Sequence, residues 1–174
     1  VVNLHHLGSL IEAHLADRTL PLVTCVTEDP VLETGGGVQN ALEHLGPDPF
    51  FVMNSDGLWI DADPQNGALN AMAAAWDDRK MDALLLLHEP VTAFGYDGAG
   101  DFIMGDDGRL ARRQEGEREA LVFTGVQLLH PRLFADAPGG AYSLNLLYDR
   151  ALQSGRLYGM SHPGEWHQDR KSVV

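Results

Sequence analysis

The chain has 174 residues, with 12 Lys and Arg against 25 Asp and Glu, a formal net charge of −13 with neutral His. The length fits one domain, and the acidity excludes a nucleic-acid-binding surface, because phosphate neutralisation needs clustered cations. Hydrophobic residues at 44% mark an ordinary globular composition, and no apolar run approaches ~20 residues, which excludes a membrane-spanning helix.

The chain opens on Val1-Val2-Asn3, read as a strand, and Leu7, Leu10, Ile11 and Leu15 then mark the apolar face of a helix over 7–16. No basic region precedes a long apolar stretch, so no signal peptide is read and a reducing cytoplasm is the expected compartment. Leu22 to Thr27 is short and β-branched, a strand, with Cys25 as a core residue unable to pair internally. Gly35, Gly36 and Gly37 precede a helix predicted over 38–45, which Gly46-Pro47 ends. Phe50 to Met53 is continuously apolar, a strand buried on both faces, and runs into Asn54-Ser55-Asp56. An Ala-rich helix over 68–76 and a buried strand over 83–87 follow. Asp107-Gly108 marks a hairpin turn between 102–104 and 109–110, and 121–129 is a strand containing Gly125. A helix over 144–153, with Ser143 and Gly155 as its caps, leads to a last strand at 157–160. Alternating strands and helices through residue 90 predict an α/β fold with a mostly parallel sheet, and the hairpin suggests that the sheet becomes mixed.

Three constellations can carry chemistry. Leu32-Glu33-Thr34-Gly35-Gly36-Gly37 lies between a strand and a helix. Glycines there admit close approach of a ligand, and a helix start offers free N–H groups to a phosphate or a nucleobase edge. It matches neither a Walker A loop nor GxGxxG, and a turn that merely starts a helix is the competing reading. Asp56 follows a buried strand, where α/β sheets bind ligands, and one carboxylate there suits Mg²⁺; a turn or helix-cap aspartate is the alternative. Gly125 inside a strand signals either ligand approach or a bulge. His5 and His6 are read as structural or loop histidines, and Asp61/Asp63 and Asp106/Asp107 as solvated turns.

In order, Val2–Leu7, Leu32–Gly37, Phe51–Asp56, Phe123–Val126 with His130-Pro131, and Gly164-Glu165-Trp166 resemble the sugar-1-phosphate nucleotidyltransferase family. Within it the resemblance is greatest to the bacterial N-acetylmuramate-1-phosphate uridylyltransferases and the mannose-1-phosphate guanylyltransferase-like proteins. It implies a Rossmann-like three-layer α/β/α fold with a mostly parallel, mixed central sheet, here without its first strand. It also implies a nucleoside triphosphate and a sugar 1-phosphate as partners, best matched by UTP and N-acetylmuramate 1-phosphate. Thr34, Gly35 and Gly36 would lie along the nucleobase, Asp56 would hold Mg²⁺, and Gly125 with Asn54 would border the sugar.

Two departures from the family pattern stand out. Its N-terminal Gly-rich loop with Arg and the following Lys-Pro segment, which grip the triphosphate, have no counterpart here. Its second metal-binding Asp, two residues after the Trp, is replaced by Gln168. Residues 1–168 are therefore expected to be a partial nucleotidyltransferase domain, inactive by itself. Residues 169–174, which the start of a common sequencing adapter can encode, are expected to be a non-native tail. A catalytically inactive nucleotide- or sugar-binding module is the competing function.

Overall fold

The structure, a computed structural model, describes residues 1–117 and 119–169. The expected tail therefore lies outside the described residues, apart from Asp169. The elements are β1 (Val2–Leu4), α1 (Gly8–Leu15), β2 (Cys25–Thr27), α2 (Glu33–Ala41), β3 (Phe50–Met53), β4 (Gly57–Ile60), α3 (Ala68–Ala75), β5 (Ala83–His88), β6 (Phe102–Met104), β7 (Leu110–Arg112), β8 (Val122–Leu129), α4 (Asn145–Gln153), β9 (Leu157–Ser161) and β10 (Glu165–Gln168). They fall into two compact units, Val1–Asp48 with Pro131–Asp149, and Pro49–His130 with Arg150–Val174.

In the first unit β1 and β2 pair in parallel, Val2 opposite Cys25 and Leu4 opposite Thr27. The strand expected over 22–27 is confined to its last three residues, and Leu22 is exposed. The helix predicted over 7–16 forms as α1, but none of its residues is buried, and Leu10 and Ile11 face solvent. The larger difference is α2. Glycine is a poor helix former, so the sequence reading begins the helix at Val38; the structure begins it at Glu33, with all three glycines buried within it. Contacts specific to the fold, described below, override the local propensity.

The second unit is built on a four-stranded sheet in the order β3-β8-β5-β9. β5 pairs in parallel with β9, and β8 runs antiparallel to both β3 and β5. The sheet is thus mixed because β8 is inserted against the common direction of β3, β5 and β9, whereas the β6–β7 hairpin forms a separate two-stranded sheet. β5 is buried at every residue, as its unbroken apolar run requires. One face of the sheet packs Leu84, Leu86, Val126, Leu128 and Tyr158 against Met72 of α3 and Met81. Asp61, expected in a solvated turn, is half-buried and reaches the start of α3 from seven residues upstream: its Oδ1 accepts the Ala68 N–H at 2.8 Å. β4 and β10, which the sequence reading leaves as irregular chain, form an antiparallel pair with Trp166 opposite Trp59.

The hairpin turn is as expected, with Gly108 at φ +80° and the Asp107 carboxylate accepting the Arg109 N–H at 3.1 Å. Ser143 Oγ accepts the Asn145 N–H at the start of α4, and Gly155 follows its end at φ +66°. His5 serves a structural role, its Nδ1 lying 2.9 Å from the Glu28 carbonyl.

Candidate functional site

Thr34, Gly35 and Gly36 lie in the first unit, at the start of α2. The chain at Tyr142 closes over this turn. Gly35 N–H and Gly36 N–H both donate to the Tyr142 carbonyl, at 2.8 and 3.2 Å, and Tyr142 N–H donates to the Leu32 carbonyl at 3.1 Å. Thr34 Oγ1 accepts the Leu144 N–H at 3.0 Å.

Each glycine is required by one of these neighbours. A Cβ on Gly35 would lie 2.7 Å from the Tyr142 carbonyl oxygen, and one on Gly36 would strike the Gly140 carbonyl. One on Gly37 would lie 2.5 Å from Glu28 Oε1. The close approach that the glycines signal is therefore made, within this unit, by the protein's own chain. The helix start is expected from the sequence to offer free N–H groups; with α2 starting at Glu33, those of Gly35 and Gly36 are spent on Tyr142. What the helix start leaves open is the N–H of Glu33 and Thr34, neither with a partner among the described residues, on two exposed residues. An open groove of about 480 Å³ runs along the same helix, lined by Gly36, Gln39, Asn40 and Glu43 and by Gly140.

Asn54, Asp56 and Gly125 lie in the second unit. β3 is pinned to β8 up to Met53 opposite Val126, and the chain then emerges from the sheet. Asn54 N–H donates to the Gly125 carbonyl at 3.0 Å, so the structure brings together the two residues expected to border a sugar. Gly125 sits at φ +86° in a break of the β5–β8 register: Leu85 faces Gln127, whereas Leu87 faces Phe123. It is thus a bulge, and its missing side chain also makes room for Asn54, whose Cβ would lie 2.9 Å from a Cβ at residue 125.

The bulge is held from beneath. The buried Thr124 hydroxyl donates to the Leu86 carbonyl at 2.9 Å, and Trp166 Nε1–H donates to the Thr124 carbonyl at 3.1 Å. That indole role is not legible in the sequence, because the partners stand 42 residues apart.

Asp56 is exposed in the turn between β3 and β4, and its carboxylate has no hydrogen-bond or ion-pair partner among the described residues. Its carbonyl accepts the Asp169 N–H at 2.9 Å, which extends the β4–β10 ladder by one step. Among the described residues no group of three or more His, Cys, Asp or Glu is placed to hold a metal. A lone accessible carboxylate fits Mg²⁺, which takes one or two carboxylates and fills its remaining positions with phosphate oxygens and water. No helix among the described residues is long and apolar enough to cross a membrane.

No protein-family model matches the chain. It is 38% identical over 171 residues to the N-acetylmuramate alpha-1-phosphate uridylyltransferase of Caulobacter vibrioides, covering 95% of this chain and 70% of the relative. It is 29% identical over 170 residues to the protein of that name from Neisseria meningitidis serogroup B, with the same coverage. The fold matches the crystal structure of HddC from Yersinia pseudotuberculosis with a TM-score of 0.73 at 16% identity, covering 95% of this chain and 70% of that one. The same protein complexed with GMP-PN matches with a TM-score of 0.70. Motifs in the family's order, a mixed sheet with Asn54 and Asp56 at the exit of β3, an edge strand buried at Phe50 alone rather than on both faces as expected, and these relatives lead to one conclusion: the chain belongs to the sugar-1-phosphate nucleotidyltransferases.

Proposed function

We propose that the enzyme transfers a uridylyl group from UTP to N-acetylmuramate 1-phosphate. A phosphate oxygen of the sugar 1-phosphate attacks the α-phosphorus of UTP. The bond from that phosphorus to the bridging oxygen breaks, and a nucleotide sugar and pyrophosphate leave. The choice of nucleotide and sugar is supported by the Caulobacter relative at 38% identity. The observation that carries the site assignment is the exit of β3, where Asn54 is bonded to Gly125 and the accessible Asp56 carboxylate follows two residues later.

Asp56 would hold Mg²⁺, which when bound offsets the charge on the phosphate oxygens. Asn54, at the Gly125 bulge, would orient the sugar, and Thr34 to Gly36 would lie along the nucleobase. No covalent intermediate is required, because positioning and charge stabilisation are enough for an in-line displacement.

The test uses the enzyme made from the complete reading frame that carries this sequence. Pyrophosphate release is measured with UTP, GTP and dTTP against a panel of sugar 1-phosphates. Highest kcat/KM with UTP and N-acetylmuramate 1-phosphate is expected, and a preference for GTP with another sugar phosphate would overturn the substrate assignment. Nucleotide binding without turnover would favour an inactive binding module. In the same enzyme Asp56→Asn is expected to lower kcat by about two orders of magnitude, with nucleotide affinity little changed. Near-normal turnover of that variant at limiting Mg²⁺ would reduce Asp56 to a turn residue.

A further inference from the structure

Glu28 is a buried acidic side chain, 8% exposed. It follows β2 directly, and every polar atom it owns is engaged within the first unit. Its N–H donates to the Leu4 carbonyl of β1 at 2.8 Å, and its carbonyl lies 2.9 Å from His5 Nδ1. Oε1 accepts from Asn3 Nδ2 at 2.9 Å, and Oε2 accepts the backbone N–H of Leu32 at 3.0 Å. Leu32 is the residue on which α2 starts, and its carbonyl in turn receives Tyr142 N–H. The Glu28 carboxylate also lies in the space that a side chain on Gly37 would fill.

One carboxylate thus ties strand β1 to the entry of α2 and packs against the third glycine of the helix. A buried carboxylate is costly unless its oxygens are bonded, and here both are, to donors belonging to the two elements it joins. We propose that Glu28 is a positioning residue, fixing the start of α2 so that Thr34, Gly35 and Gly36 present a preorganised surface to the nucleotide. This rests on the assignment of those three residues to the nucleotide.

Only an acceptor is needed at Leu32, while the other oxygen can be exchanged. Glu28→Gln can keep a carbonyl on Leu32 N–H and donate from its amide to Asn3, whose own amide turns to present oxygen. Glu28→Met keeps length and loses both acceptors: the half-buried Leu32 N–H loses its partner, and the amide of the exposed Asn3 is released from the entry of α2.

The experiment measures steady-state kinetics on the enzyme made from the complete reading frame. For Glu28→Met, KM for UTP should rise about tenfold, while kcat and KM for the sugar 1-phosphate change less than about threefold. Glu28→Gln should keep KM for UTP within about threefold of the wild type. Equal effects of Glu28→Met on both substrates, an unchanged KM for UTP, or a Glu28→Gln as impaired as Glu28→Met would overturn the proposal. If Glu28→Met does not fold, Asn3→Ala decides: a selective rise in KM for UTP of about threefold supports the role, and no selectivity refutes it. UTP titration of the wild type, followed by amide NMR, separates the two levels. No shift at Thr34 to Gly36 removes the nucleotide assignment and this inference with it. Shifts there combined with an unselective Glu28→Met remove the inference alone.

Discussion

Gly125→Ala tests the bulge that Asn54 leans on. Gly125 has φ +86°, a region that costs a residue with a Cβ ~1–2 kcal/mol. The new methyl would also lie 2.9 Å from Asn54 Cβ and 3.1 Å from its Cγ and Nδ2. Asn54 cannot yield freely. Its N–H is bonded to the Gly125 carbonyl, and the preceding residue, Met53, is paired to Val126 in the ladder. Overpacking of this kind costs ~1–3 kcal/mol, so the total loss of stability should be ~2–5 kcal/mol. Urea unfolding of four proteins, wild type, Gly125→Ala, Asn54→Gly and the double variant, separates the two causes. Removing the Asn54 side chain should return the overpacking part, a coupling of ~1–3 kcal/mol, and leave the backbone strain. A Gly125→Ala protein within ~0.5 kcal/mol of the wild type, or a loss that is the same with and without the Asn54 side chain, would refute the reasoning.

Two further outcomes follow from other parts of the molecule. The Arg79 side chain, and then its backbone N–H, hydrogen-bond the Asp77 carboxylate and hold its pKa below the ordinary aspartate value. A carboxylate depressed on folding adds stability above its unfolded pKa and loses that contribution as pH falls through its folded pKa. Carboxyl-carbon NMR should therefore show Asp77 titrating below an unpaired aspartate, and Arg79→Met should move the midpoint up; an unmoved midpoint contradicts the pairing. Separately, Leu10 and Ile11 of α1 and, nearby in sequence, Leu7, Leu20 and Leu22 are exposed, and among the described residues β1 and β2 form a two-stranded sheet. Unpaired edges beside apolar surface template association. The 174-residue chain should accordingly self-associate in sedimentation velocity, with Leu10→Glu and Leu22→Glu reducing it, and a monodisperse monomer at all concentrations would rule this out.

Composition and local pattern by themselves determined a good deal. The run Ala83 to Leu87 could only be a strand covered on both faces, and β5 is buried throughout. Asp107-Gly108 fixed a hairpin turn, and Phe50 to Met53 followed by Asn54-Ser55-Asp56 placed polar residues at a strand exit. The order of the motifs was enough to indicate the family. These features are local, set by apolar period and by the few residues that turn a chain.

What the sequence left open is non-local. An alternating or apolar run reads the same in either direction, so the reversal of β8 between β3 and β5 was decided by pairing alone. The pair β4 and β10 is joined by segments far apart in the chain, and neither strand carries a strong pattern of its own. Gly35 to Gly37 announced that something comes close, without saying what. Tyr142, Gly140 and Glu28 fill that space, and the hydrogen bond from Leu144 to Thr34 spans 110 residues. Local propensity placed the start of α2 after those glycines because glycine loses more backbone entropy in a helix than other residues. The tertiary structure moved the start to Glu33 because only residues without a Cβ allow the Tyr142 and Gly140 carbonyls and the Glu28 carboxylate to pack against that turn.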